Sequence, residues 1–165
     1  MTKVTARILT ITYFTIISSS LTLFANSKID SLKHLLQRSD QKTMLTTLDH
    51  LTNELLYVNN QEALTYAKKG LKLSQETKDT LEVVFYDYLG EIHRKLGNYD
   101  VAIEYLSKGL LLKQQFKNKK SIAISFNKIG KVNVNTGDYD IAIHNFMKAL
   151  KLMEEIGDKE GQLFT

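Results

Sequence analysis

The chain has 165 residues, one domain's worth, and its 43% hydrophobic and 24% charged side chains suffice for a packed core without staples. It has no cysteine and no proline, which excludes disulfides, thiolate metal sites, a cysteine nucleophile and a lipid-modified N-terminal cysteine, and suits a mostly helical chain with tight connections. The net charge of +4 shrinks once Lys3 and Arg7 are set aside, because 20 basic then face 18 acidic side chains, without the concentrated patch expected of a nucleic-acid binder.

Residues 1–25 have the three-part layout of a secretory signal. Lys3 and Arg7 form a positive start, residues 8–24 are uncharged and mostly apolar, and Ala25 offers a small residue before Asn26-Ser27. Leu23 stands where a second small residue is preferred, and hydroxyls such as Thr10, Ser18 and Thr22 dilute the stretch as a permanent span. The leader therefore reads as a cleaved signal or, uncut, as an N-terminal anchor. Either outcome places the rest of the chain outside the cytoplasm, in the periplasm or on the outer face of the inner membrane.

Residues 26–42 read as a short helix and linker, with Ile29, Leu32, Leu35 and Leu36 on one helical face. Met44, Leu45, Leu48, Leu51, Leu55 and Leu56 then step by three and four, the spacing of a buried stripe. After a break at Val58-Asn59-Asn60, a partner helix carries Ala63, Leu64, Ala67, Gly70, Leu71 and Leu73. Two further pairs follow, so that helices are expected over 43–57 with 60–76, 80–95 with 98–115, and 120–135 with 138–155. Asp79 and Asn118 are expected to cap the first helices, and Asn98 and Asp138 the second ones. Gly97 and Gly137 supply the left-handed turn residue between them. Asp158 to Thr165 starts a fourth first-helix and stops, so the chain reads as cut. The run Lys117-Asn118-Lys119-Lys120 is the one basic cluster and reads as a solvated turn.

The pairs are copies of one another. Residues 80–119 and 120–159 share 10 identities in 40 positions, including Gly90/Gly130, Tyr99/Tyr139, Asp100/Asp140 and Ala102/Ala142. The first pair follows at an offset of 39 through Ala63-Leu64, Gly70-Leu71 and Leu73. A repeat of this length is the mark of a solenoid, an architecture that presents surface. Small residues at 90 and 102, or 130 and 142, let two helix backbones approach closely, while aromatics fill the space between pairs.

The order Tyr86, Leu89, Gly90, Gly97, Tyr99, Ala102, Leu106, Gly109, Leu112, with its copy Phe126, Ile129, Gly130, Gly137, Tyr139, Ala142, Phe146, Ala149, Leu152, resembles the tetratricopeptide repeat (TPR). The period of 39–40 is longer than that family's usual 34, the proline that often ends its repeat is absent, and the first pair lacks the Gly-x-Tyr signature. The resemblance implies an all-α fold, a right-handed solenoid of antiparallel helix pairs (a TPR-like superhelix). Its parts would be a degenerate repeat at 43–77, repeats at 80–117 and 118–157, and a truncated repeat at 158–165, together an array over 43–165. The long repeat, the leader and the Asp30-Ser31-Leu32-Lys33 helix also resemble the exported N-terminal sensor region of bacterial signalling proteins. In those proteins a membrane span and a histidine kinase, cyclase or helix-turn-helix regulator follow, and no such output is present in this chain.

No enzyme is expected. His34, His50, His93 and His144 have no ligand spacing, no nucleophile–base set and no Gly-rich phosphate loop can be found, and no catalytic, metal or cofactor-binding residue is assigned. Tyr99 and Tyr139 read as packing elements at the helix turn; Tyr105 and Phe116 are open between interface and surface. The resemblance places the first helix of each pair on a concave wall. Asp87, Tyr88, Glu91, Arg94 and Lys95 would face inward from the second pair, and Asn127, Lys128, Lys131 and Asn135 from the third. Asn127 is the sharpest candidate, since its amide both gives and accepts hydrogen bonds with an extended backbone. Each of these residues also reads as an ordinary solvated wall position.

The expected function is a non-enzymatic module that binds a protein or peptide partner, the sensor or scaffold part of a signal-transduction protein. The alternative is structural self-association, or an envelope scaffold with no dedicated ligand. Neither nucleic acid nor membrane is an expected partner of the mature domain, unless the leader stays uncleaved.

Overall fold

The fold, obtained as a computed structural model, describes residues 26–157. The leader at 1–25 and the fourth-repeat stub at 158–165 lie outside the described residues. Helix α1 covers 26–36. It is followed by α2 (Gln41–Leu55), α3 (Asn60–Thr77), α4 (Glu82–Lys95), α5 (Tyr99–Gln115), α6 (Lys119–Thr136) and α7 (Tyr139–Glu155). Among the described residues there is no strand. The connections are two to four residues long, so successive helices turn back antiparallel on one another.

The polar residues that open helices divide into two groups. Asp40, Asn59 and Asn118 accept the amides of Thr43, Glu62 and Ser121 at 2.8, 3.1 and 3.0 Å, satisfying orphan donors of α2, α3 and α6. Asp79 instead accepts the amide of Leu81 at 2.8 Å and closes a preliminary turn. Helix α4 therefore begins at Glu82, two residues later than the sequence pattern suggests. Asn98 and Asp138, expected as caps, make no capping hydrogen bond. The reason is backbone geometry: Asp138 sits at φ −81°, ψ 63° with the Tyr139 amide bonded to the Gly137 carbonyl, an inverse γ-turn. Its carboxylate accepts the Thr136 hydroxyl at 2.6 Å instead. Gly97 (φ 78°) and Gly137 (φ 85°) hold the left-handed positions within pairs. Between pairs that conformation falls on Lys78 (φ 54°) and Lys117 (φ 55°), at a cost of about 1–2 kcal/mol each.

Small residues set how close the helices lie. A Cβ at Gly70 would overlap the ring of Phe85, the fully buried side chain that α4 pushes against α3. A Cβ at Gly90 would lie 2.5 Å from Leu106 Cγ, and one at Gly130 2.6 Å from Phe146 Cε1. These positions fix the packing within the second and third pairs. The core is thickest around α2, α3 and α4, where Leu51, Leu55, Phe85, Leu89 and Ile92 are all buried. Helix α1 closes this end by laying Ile29, Leu32 and Leu36 on it, with Lys28–Glu54 and Lys33–Glu62 ion pairs at the rim, both at 2.6 Å.

The curvature follows from which helices touch. Each helix packs on its neighbours in sequence, and α2 also meets α4, and α4 meets α6. No such contact joins α3 to α5 or α5 to α7. The first helices of the pairs thus lie on the inner radius of the array.

Candidate partner-binding surface

The inner wall is built from α2, α4 and α6, and its polar residues are bonded across the pairs. Tyr88 on α4 donates its hydroxyl to Asp49 of α2 at 2.9 Å, and Lys95 donates to the Leu56 carbonyl at 2.8 Å while its ammonium lies 4.2 Å from the centre of the Tyr57 ring. On the other side of α4, Asp87 accepts from Lys128 of α6 at 2.9 Å, and Arg94 donates to Asn135 of α6 at 3.1 Å. Three of these ties join first helices of adjacent pairs and the Lys95 tie reaches the turn that ends α2, so the wall is held as one surface. Burial and the Asp49 hydrogen bond push the Tyr88 hydroxyl well above its ordinary pKa, which keeps it a donor.

Asp87 is the hub of a denser cluster. Lys113 of α5, only 4% exposed, donates to both its carboxylate oxygens at 2.8 Å and to the Ser125 hydroxyl of α6 at 2.6 Å. All three ammonium protons are thereby used. Burial lowers the Lys113 pKa, opposed by the attraction of Asp87. Glu91 and Arg94 form a forked pair at 2.6 and 3.0 Å. Burial pushes Glu91 up, but the hydrogen bond and charge of Arg94, with Lys95 and Lys128, outweigh it and hold the carboxyl below its usual range.

The nine wall residues named from sequence therefore fall into unequal positions. Asp87, Tyr88, Glu91, Arg94, Lys95, Lys128 and Asn135 are brought together by these bonds. Lys131 is exposed on α6. Asn127 is different: its side-chain oxygen is buried and has no hydrogen-bond partner. The repeat explains this. Asn127 occupies the place of Asp87 forty residues on, and Met153 occupies that of Lys113. The ammonium that satisfies the second pair is thus replaced by an apolar side chain in the third, and no described helix follows to supply a counterpart of Lys128. On α2, α4 and α6 the cations Arg94, Lys95, Lys128 and Lys131 meet the three carboxylates Asp49, Asp87 and Glu91, with Lys113 of α5 buried behind Asp87, so this part of the wall carries surplus positive charge.

Sequence reasoning missed Asp49, Lys113 and Ser125. Lys113 had left a signal: it lies on the buried stripe with Leu106 and Gly109, at the position Met153 takes in the next copy. A charge at such a place needs a buried partner. Elsewhere, a cleft of about 410 Å³ lies at the α3–α4 turn between Lys78, Val83, Leu112 and Phe116. Gln75 at its edge already bonds Glu82 and Tyr86 at 3.1 and 3.0 Å.

Residues 80–155 match the model of the tetratricopeptide repeat family. No curated protein matches the chain. Among solved structures, it is similar to BtubC (BKLC) from P. vanneervenii, at 14% identity and a TM-score of 0.62 over 82% of this chain and 56% of that one. The chain thus spans little more than half the length of BtubC. Two structures of MamA are also similar. One is 17% identical with a TM-score of 0.48, covering 85% of this chain and 95% of that one. The other is 19% identical with a TM-score of 0.42, covering 87% and 90%. The fold is an all-helical solenoid of the tetratricopeptide type.

Proposed function

We propose that this array, whose residues 80–155 match the tetratricopeptide repeat family, is a protein-interaction module whose inner wall binds an extended, acidic segment of a partner protein. The observation that carries the reading is the combination at the α6 end of the wall. A buried, unpartnered acceptor on Asn127 lies on the same helix as Lys128 and Lys131, in a region of surplus positive charge. Turned out from its buried position, the half-buried Asn127 side chain pairs with a backbone N–H of the segment, whose carboxylates sit near the two lysines, a charge-assisted arrangement that fixes register and speeds encounter. The bonds among α2, α4 and α6 hold the wall in place beforehand, which lowers the ordering cost of binding.

The leader supports a place outside the cytoplasm, as the sensor or scaffold part of a larger signalling protein. Residues 1–25 fused to a reporter that works only after export would test the first point, and an inactive fusion would count against it.

Binding is tested by fluorescence anisotropy of the full chain against labelled acidic and basic peptide pools at low and high salt. Acidic peptides are expected to bind and to weaken as salt rises. Lys128→Ala and Lys131→Ala together should weaken them about tenfold, and Asn127→Ala severalfold. Equal binding of both pools, or indifference to all three substitutions, would overturn the reading.

A further inference from the structure

The cleft of about 410 Å³ beside the α3–α4 turn lies in the middle of the array, where α3, α4 and α5 all contribute to it. Its apolar lining is Val83, Leu112 and Phe116, the last 59% exposed. Its charged lining is Lys78, Asp79 and Glu82. Asp79 accepts the Leu81 amide at Oδ1, and Glu82 accepts the Gln75 side chain at Oε1. Each carboxylate thus keeps a second oxygen for a donor. Lys78 is exposed and makes no ion pair with either of them among the described residues.

The next repeat shows what fits over such a place. Forty residues on, Lys119 stands where Asp79 stands and Glu155 where Gln115 stands, and the two form an ion pair at 2.9 Å. A lysine side chain therefore spans from the start of α6 to the last turn of α7. Between α4 and α5 the corresponding residues are an acid and an amide, so the carboxylate is present and the cation is missing. We infer that the cleft binds a basic side chain of a partner protein, an arginine or lysine that brings from outside the cation the third pair supplies from within. Its aliphatic stem lies along Val83 and Leu112, and its charged head meets Asp79 and Glu82. The exposed Phe116 ring is available for a cation–π contact. Two carboxylates against one ammonium leave this lining net negative, which favours a cation over an anion.

The cleft shares no residue with the ties of the inner wall, so it stands or falls independently of the groove reading. A single side chain binds weakly, and N-acetyl-arginine amide is expected to titrate the ¹⁵N-labelled full chain with a dissociation constant on the order of 1–10 mM. Amide shifts should centre on residues 75–83 and 112–116, and N-acetyl-norleucine amide and N-acetyl-glutamate amide should leave those signals in place. Asp79→Asn with Glu82→Gln keeps an acceptor at both positions and should weaken binding about tenfold. Phe116→Ala should weaken it severalfold, and Lys78→Ser should tighten it by about twofold to threefold. Asp79→Lys with Gln115→Glu copies the bridge of the third pair and should abolish binding while the helical circular dichroism is retained. No shift at these residues overturns the proposal, as does an equal response to the norleucine or glutamate amide. Binding that is indifferent to the neutralised and the bridged variants equally overturns it.

Discussion

His93 lies buried near the end of α4, its ring stacked 5.5 Å from that of Tyr105 on α5. Burial, with the nearby charge of Lys68, lowers its pKa below the ordinary value of 6.5. Above both pKa values the imidazole is neutral, folded or unfolded, and contributes nothing to the pH dependence. As pH falls through 6.5 the unfolded chain takes up its proton first, so native stability drops until the lower folded pKa is passed. The free energy of unfolding in urea is therefore expected to fall between pH 7.5 and 5, and His93→Gln to flatten that slope. Parallel slopes for the two proteins would refute the assignment. The sequence showed His93 as one histidine among four without ligand spacing. Its burial depends on Tyr105, which sequence alone left open between surface and interface.

Between elements, the Asp87 cluster makes an asymmetric prediction. Removing Asp87 leaves the buried Lys113 ammonium with only the Ser125 hydroxyl, whereas removing Lys113 leaves Asp87 still bonded to Lys128. An unpaired buried charge is the costly outcome. Asp87→Ala is expected to destabilise by about 3 kcal/mol. Lys113→Met, which copies the third pair, should cost about 1 kcal/mol or less. Chemical denaturation of the two variants measures the difference, and equal losses would sink the argument. Helix positions and the small residues at 70, 90 and 130 are legible in the sequence, because three- and four-residue spacing and a forty-residue echo are local signals. The ties from α4 to α2, α5 and α6 are less so. Asp87 and Lys128 are 41 residues apart, and nothing along the chain says that they meet.

Across the whole molecule, stability should grade along the array, because each helix pair contacts only its neighbours. The fully buried Phe85, Leu89 and Ile92 place α4 at the centre of the core, packed on both sides. Helix α7 packs on α6 alone. At low micromolar concentration, hydrogen exchange is expected to be slowest in α4 and fastest in α7. Uniform protection across α2 to α7 would show a single cooperative unit instead.

By itself the sequence determined the helix pairs, their antiparallel turns and the solenoid they build. Those features rest on periodicity, short connections and glycines at fixed places, all of which act over a few residues. Tertiary structure decided what the wall residues do. It tied Asp87 to both Lys128 and the buried Lys113, left the buried Asn127 oxygen without a partner because Met153 replaced that lysine, and left Tyr139 and Ile143 of α7 exposed where α5 half-buries their counterparts. Each of these outcomes depends on which side chains of different helices come within hydrogen-bonding or packing distance. Only the assembled array sets those distances.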